Sequence, residues 1–485
     1  MSRTTRRVSL AALVLVLLLC GPGTSRTQGQ AQAPNAPRRP NIVLIVADDW
    51  SWPHAGAYGD KVVKTPAFDR LAAEGALFTR AYCASPSCTP SRGALLTGQA
   101  VHRLESGGNL WSRLPKTFTC YPDALEQAGY AVGLTGKGWG PGTIEGTGRD
   151  RNPAGPNVRD FAAFLKTVKT AQPFCFWYGS QDPHRPYEPG TGLQAGLKPE
   201  DVQPPPFFPD RPEVRSDLLD YYFEVRRFDQ AVAAILKQLD DAGLAENTLV
   251  IVTSDNGMPF PRCKANLYDS GTHMPLAIRW PGQIAPGRKI EAFVSLTDLA
   301  PTILEAAGLK PWPAMTGKGL RRLWRSGNVP EPDRDQVFLE RERHANVRKG
   351  DLSYPCRAIR TDKYLYVRNL RPDRWPAGDP EMYKAVGPFG DVDPSPTKDL
   401  ILDRRGEAGM APFFRLAFEK RPPEELYDLE HDPFELKNVA AHEGHAPAKA
   451  ELRAKLDRWM EETADPRVDP SDDRFDKYPY VGPPR

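Results

Sequence analysis

Four apolar runs that each break off into polar residues, where a plain turn would be expected, constrain this 485-residue chain more than any other feature. Asn41 to Val46 ends in Ala47-Asp48-Asp49, and Tyr130 to Leu134 ends in Thr135-Gly136-Lys137. Phe174 to Tyr178 ends in Gly179-Ser180-Gln181-Asp182-Pro183-His184, and Thr248 to Val252 ends in Thr253-Ser254-Asp255-Asn256-Gly257. Short, unbroken apolar runs suit strands buried on both faces. Between them the spacing turns helical: Phe228, Val232, Ile235, Leu236 and Leu239 recur on one face of Glu213 to Asp241 before Gly243 stops the run. Alternating strands and helices predict an α/β domain, a large and mostly parallel sheet sandwiched by helices. In such sheets ligands bind beyond the carboxyl ends of the strands. Here those ends carry Asp48, Asp49, Lys137, His184, Asp255 and Asn256. Any one of these polar pairs also reads as a helix cap or a turn, but four together mark a site.

After Pro330 apolar helical runs thin out and short β-like stretches appear, as in Ala358 to Val367. The pattern predicts a main domain over 38–345 and a smaller α+β domain with an antiparallel sheet over 346–485. Helical spacing returns from Ala448 to Thr463, and a Pro-rich polar tail follows Asp465. At the other end, an Arg-rich start precedes an apolar run from Val8 to Leu19 that is too short for an ordinary membrane span. Residues 1–33 therefore read as a signal peptide and polar tether, which implies a secreted or periplasmic protein. Cys20 offers an alternative lipid anchor, although Leu19 before it is bulky for such processing.

Lys plus Arg number 64 against 61 Asp plus Glu, a net charge of +3 without long single-sign runs, so nucleic acid is not the expected partner. Besides Cys20 and Cys88, the cysteines at 83, 120, 175, 263 and 356 are scattered and show no CxxC spacing. They predict at most one or two disulfides.

Ser87-Cys88-Thr89-Pro90-Ser91-Arg92-Gly93-Ala94-Leu95-Leu96-Thr97-Gly98 reads as a helix start with proline in the first turn. Cys88 then sits at the positive end of a helix, and Arg92 one turn on adds a fixed charge, so the position favours an anion. A cysteine that merely caps a helix fits the same spacing. CTPSRGALLTG resembles the signature of the type I sulfatases, in which the cysteine of Cys-x-Pro-Ser-Arg is oxidised to formylglycine (3-oxoalanine) by a formylglycine-generating enzyme. The likeness runs from RPNIVLIVADD through TSDNGMPFPRCKANLYDSGTHMPL to ELYDLEHDPFELKNVA. SDNGMPFP, NLY, LSYPCRAIR and VRNL are most similar to the sulfamidases, the heparan N-sulfatases.

The resemblance implies an alkaline-phosphatase-like core and one divalent cation held by Asp48, Asp49, Asp255, Asn256 and an oxygen of modified Cys88. Oxygen ligands suit Ca2+, with Mg2+ the physical alternative. It also implies that Arg92 stabilises the hydrated aldehyde, while Lys137, His184 and Lys264 contact sulfate or protonate the leaving atom. One hydroxyl of the formylglycine hydrate attacks sulfur, the sugar oxygen or nitrogen departs in line, and the sulfated hydrate collapses to the aldehyde.

Two positions depart from the family pattern. Gly136-Lys137-Gly138-Trp139 stands where Gly-Lys-x-His is usual, which leaves the base open; His54 and His102 are candidate stand-ins, and Trp139 is a candidate sugar platform. Lys264 stands where sulfamidases carry arginine, a point charge in place of a planar fork. His344, in a charged run, is a further candidate for sugar contact.

The expected function is sulfate hydrolysis from sulfated sugars, sharpest for N-sulfoglucosamine of heparan-type glycans. The alternatives are an O-sulfatase on another glycan, a phosphonate or phosphate ester hydrolase, and a non-catalytic binder of sulfated glycans. A homodimer is compatible with all of these.

Overall fold

The four apolar runs become four neighbouring parallel strands. The computed structural model describes residues 39–325, 333–384 and 387–482. Its large sheet contains β1 (Asn41–Ala47), β2 (Ala76–Tyr82), β3 (Ala131–Gly136), β4 (Phe174–Gly179), β5 (Thr248–Ser254), β6 (His273–Arg279), β7 (Arg288–Ile290) and β8 (Val294–Ser295). The strand order is β3-β4-β1-β5-β6-β2-β7, with β8 also paired to β2. β3, β4, β1 and β5 run parallel, whereas β6 is antiparallel to both β5 and β2. The sheet is thus mixed and mostly parallel.

The side-chain alternation of a strand explains why the runs are apolar throughout. Ile42, Leu44 and Val46 of β1 join one buried cluster with Leu95, Leu96, Leu125, Leu299 and Ile303 from helices. Val43, Ile45 and Ala47 join the opposite cluster with Phe68, Leu71, Val225, Phe228 and Leu236. Every residue of β1 is buried, and each such aliphatic side chain contributes about 1.5–3 kcal/mol. The predicted long helix spans Pro212–Asp241, with proline in its first turn and Gly243 at φ 65° just past its end.

Register then decides where the polar residues go. Gly136 pairs with Gly179, Val46 pairs with Gly179, and Ala47 pairs with Ser254. The four strands therefore finish level, and the residues after them emerge along one edge. A Cβ at Gly179 would lie 1.7 Å from the Lys137 carbonyl, so the close approach of the β3 and β4 ends requires glycine there.

A second sheet is antiparallel, in the order β12-β11-β10-β9, from β9 (Gln336–Arg341), β10 (Cys356–Thr361), β11 (Tyr364–Asn369) and β12 (Glu424–Asp428). The stretch from Ala358 to Val367 is a hairpin turning at Asp362-Lys363, not one strand. β9 lies ahead of residue 346, and the Glu340 amide donates to Ala84 O. Helix Ala446–Glu462 packs Leu452, Leu456 and Met460 on Ile359, Tyr366 and Leu426. The described residues form one compact unit. The six cysteines among the described residues are all buried and free. No described helix is long and apolar enough to cross a membrane. The signal, the tether and Cys20 fall outside the described residues.

Candidate active site

The strand ends meet the start of one helix. Cys88 is the first residue of the helix Cys88–Thr97, every residue of which is buried. Its Sγ lies 3.6 Å from Asp48 Oδ1, at the end of β1. Burial pushes the Cys88 thiol well above its ordinary range, despite the pull of Lys137 and Lys264. The unmodified side chain is thus a neutral thiol, a poor nucleophile.

Arg92, one turn along and fully buried, fastens the ends of β5, β3 and β1 at once, the last through Nη2, which donates to Ala47 O at 3.5 Å. Its Nε donates to Asp255 Oδ2 at 2.7 Å, and its Nη1 donates to the carbonyls of Lys137 and Gly138 at 2.6 and 3.0 Å. Asp255 Oδ1 accepts from the amides of Asp49 and Asn256. Lys137 Nζ donates to both oxygens of Asp48 at 2.7 Å, and Lys264 Nζ donates to Asp49 Oδ2 at 2.7 Å. His184 Nε2 stands 3.8 Å from the same Asp49 oxygen. Burial alone would raise the Asp48 carboxyl, but Lys137, His184, Arg92 and Lys264 outweigh it and hold the group well below the usual range. For Asp49 burial prevails over Lys264, and its carboxyl is raised.

Two observations show that these residues fit a hard cation. Asn256 Oδ1 is buried with no hydrogen-bond partner, while its Nδ2 is committed to Asp49 Oδ1 and Gly257 O. Ligand atoms of Asp48, Cys88 and Asp255 lie within 4.8 Å of one another. An orphaned amide oxygen among carboxylates is a vacant acceptor that a Ca2+ or Mg2+ ion would satisfy. Asp49 also adopts φ 77°, a left-handed backbone that a non-glycine residue holds where its surroundings impose it.

The other sequence candidates divide. His344 joins the site: its Nδ1 lies 2.8 Å from Ser87 Oγ, so the residue before Cys88 makes no side-chain cap to its own helix. Burial lowers His344 to about 4, so its imidazole is neutral. Trp139 lies in the core, 4% exposed, against Gly93 of the nucleophile helix, with no face free for a sugar. His54 is buried between Tyr221 and Tyr222, and burial lowers it to about 4. His102 bonds Glu340 and faces Thr463 O. Neither of the last two is brought to Cys88 by any contact. Asp393 was not foreseen: Lys264 Nζ lies 3.3 Å from its Oδ2, and no periodic pattern surrounds it in Gly390-Asp-Val-Asp-Pro394.

A nucleophile position at a helix start, a fixed arginine, two lysines and an oxygen cage together suit attack on a sulfuryl or phosphoryl centre. The Sulfatase family model matches residues 40–142 and 150–309. The chain belongs to the sulfatase family. A second model, N-sulphoglucosamine sulphohydrolase, C-terminal, matches residues 263–382 of this sulfatase. Human N-sulphoglucosamine sulphohydrolase is 32% identical over 94% of each chain. An ulvan-active sulfatase of Formosa agariphila is 27% identical over 87% of this chain and 75% of its own. A solved structure in complex with its substrate D-glucosamine-2-N,6-O-disulfate superposes with a TM-score of 0.65 at 19% identity, covering 90% of this chain and all of that one. The chain is thus an enzyme of the sulfatase class. Its family generally uses formylglycine and a divalent cation, and the Asp48 cluster is the candidate for the latter.

Proposed function

We propose that this sulfatase removes the N-sulfate from N-sulfoglucosamine of heparan-type glycans, with oxidised Cys88 as nucleophile and Ca2+ held by Asp48, Asp49, Asp255 and Asn256. The observation that carries the reading is the end-to-end likeness to N-sulphoglucosamine sulphohydrolase, whose C-terminal model spans both Lys264 and His344. When present, the formylglycine hydrate supplies a nucleophilic oxygen and the cation supplies positive charge for the sulfate oxygens.

The chain's own side chains do the rest. Arg92 is held by three acceptors and cannot reorganise, so it keeps the nucleophile position positive throughout. Lys137 and Lys264 flank Cys88 with the remaining positive charge and bind sulfate oxygens. His184, whose side chain is 33% exposed, faces the entrance and protonates the departing nitrogen. His344, neutral and tied to the hydroxyl of Ser87, the residue before Cys88, stands in for the histidine absent at position 139. We read residues 1–33 as an export signal and tether, which sequencing of the mature N-terminus tests.

The deciding assay compares sulfate release from glucosamine carrying sulfate on nitrogen and on the 6-oxygen, with conversion of Cys88 verified by peptide mass. Preference for the N-sulfate supports the reading. Preference for the 6-O-sulfate leaves an O-sulfatase, the alternative that the point charge of Lys264 favours over a planar fork.

A further inference from the structure

Among the described carboxylates around Cys88, one has an oxygen that accepts no hydrogen bond. Asp48 is held by Lys137, Asp49 by Lys264 and Asn256, and Asp255 by Arg92 and two backbone amides. Asp393 Oδ2 is buried with no hydrogen bond, and its one close cation, Lys264, is shared with Asp49. The loop that carries it is fastened on both sides. Asp391 is held by Arg341 and Arg348 and accepts from the Ala345 amide. Ser395 caps the helix Pro396–Asp403, and Lys398 Nζ donates to the carbonyls of Phe389 and Val392. Asp393 is therefore a positioned acceptor, not a loose surface carboxylate.

Its place is at the open side of the pocket. The side chains of His184, Asp393 and Lys137 are 33%, 24% and 13% exposed, while those of Asp48, Asp49, Arg92, Asp255 and Lys264 are 4% or less. A sugar entering sulfate first reaches bottom among the cations and leaves its ring at that rim. A carboxylate that shares its one ion-pair partner, Lys264, with Asp49 weakens anion binding beside it unless the ligand brings a donor to it. A second sulfate at that point would meet like charge.

We infer that Asp393 is a specificity-determining residue that accepts a hydroxyl or ammonium donor of the sugar ring beside the scissile sulfate and excludes sugars carrying a second sulfate there. The inference rests on the sulfated-glucosamine reading above. It is tested by calorimetry on calcium-loaded Cys88→Ala protein, which binds without turnover, alone and combined with Asp393→Asn or Asp393→Ser. The ligands are glucosamine N-sulfate, its N,6-O-disulfate and its N,3-O-disulfate.

The expected result is that at least one disulfate binds ten-fold or more weakly than the monosulfate, and that both Asp393 variants shrink this ratio to within three-fold. Equal binding of all three ligands, no binding of any, or a ratio kept in both variants overturns the inference. A change that weakens all three ligands alike also overturns it, since that is what loss of Lys264 positioning alone would do. The parent reading fails separately, through the absence of N-sulfate release by the converted enzyme.

Discussion

Replacing Arg92 by methionine keeps the volume and removes the charge, and the structure sets the size of the loss. Asp255, whose side chain is fully buried, loses a partner at 2.7 Å. Removing one member of a buried ion pair costs about 3–5 kcal/mol. Lys137 O keeps a donor, Trp177 Nε1 at 3.0 Å, whereas Gly138 O loses the Arg92 Nη1 that donates to it. An acceptor stranded in this way adds about 1–3 kcal/mol. The total, about 4–8 kcal/mol, is comparable with the whole stability of many proteins. At roughly 2 °C per kcal/mol for a chain of this size, Arg92→Met should melt roughly 10 °C below the parent in chelator. Calcium should narrow the gap, because Asp255 then has a second counter-charge. In Asp255→Asn the same Arg92 substitution should cost about 2–3 kcal/mol less, measured as a double-mutant cycle in urea. An Arg92→Met protein that melts within about 2 °C of the parent, or strict additivity in the cycle, would refute the reasoning.

Three further outcomes are expected. Cys88→Ser and Cys88→Ala should lose nearly all sulfate release, since neither can become the aldehyde; substantial turnover by either removes the nucleophile assignment. Asn256→Ala should lose about 1–3 kcal/mol in chelator, from the bonds of its Nδ2, and should also show a smaller calcium-induced rise in melting temperature than the parent. An unchanged calcium increment would place the ion elsewhere. His102 is raised because Glu340 and Asp465 outweigh its burial and the opposing Arg357. Its contribution to stability is therefore complete below the unfolded value of about 6.5 and fades as pH rises through the raised folded value. His102→Gln should accordingly destabilise more at pH 5.5 than at pH 9 in thermal melts, and the reverse order would contradict the pairing.

The ligand cage was legible because it obeys a local rule: a strand buried on both faces must be apolar until it ends, so polar residues just after four such runs stand out. Cys88 and Arg92 were legible from a compact motif. Residues whose role depends on packing were not. An indole after Lys137 suits a pocket wall or a core equally, and what decides for the core is packing: the ring lies over Gly142, where a Cβ would be 2.7 Å from it. The His344 to Ser87 bond joins positions 257 apart, and nothing near either one announces it. Asp393 sits in a loop without periodicity, and only the saturation of its neighbours makes its oxygen without a hydrogen bond conspicuous. The hairpin within 358–367 escaped because its turn contains no glycine. Thr361 Oγ1 accepts from the Tyr364 amide and closes the turn through a side chain.

The charges around Cys88 suggest why cation and substrate should act together. Asp48, Asp49 and Asp255 are matched by Arg92, Lys137 and Lys264, so the pocket floor is near neutral and its two lysines are occupied by carboxylates. A sulfate monoester brings one more negative charge to a floor with none of the opposite sign to spare. A divalent cation in the oxygen cage changes the balance by two and lets Lys137 and Lys264 serve the anion. Binding of the two ligands is then linked, and linkage is reciprocal. Inorganic sulfate should tighten calcium binding by the same factor by which calcium tightens sulfate binding, five-fold or more for a coupling of about 1 kcal/mol or larger. Calorimetric titration of calcium with and without saturating sulfate measures one side, and titration of sulfate with and without calcium measures the other. Independence of the two would mean that the lysines already reach the sulfate in the cation-free pocket, and that the carboxylate pairing seen here does not restrain them.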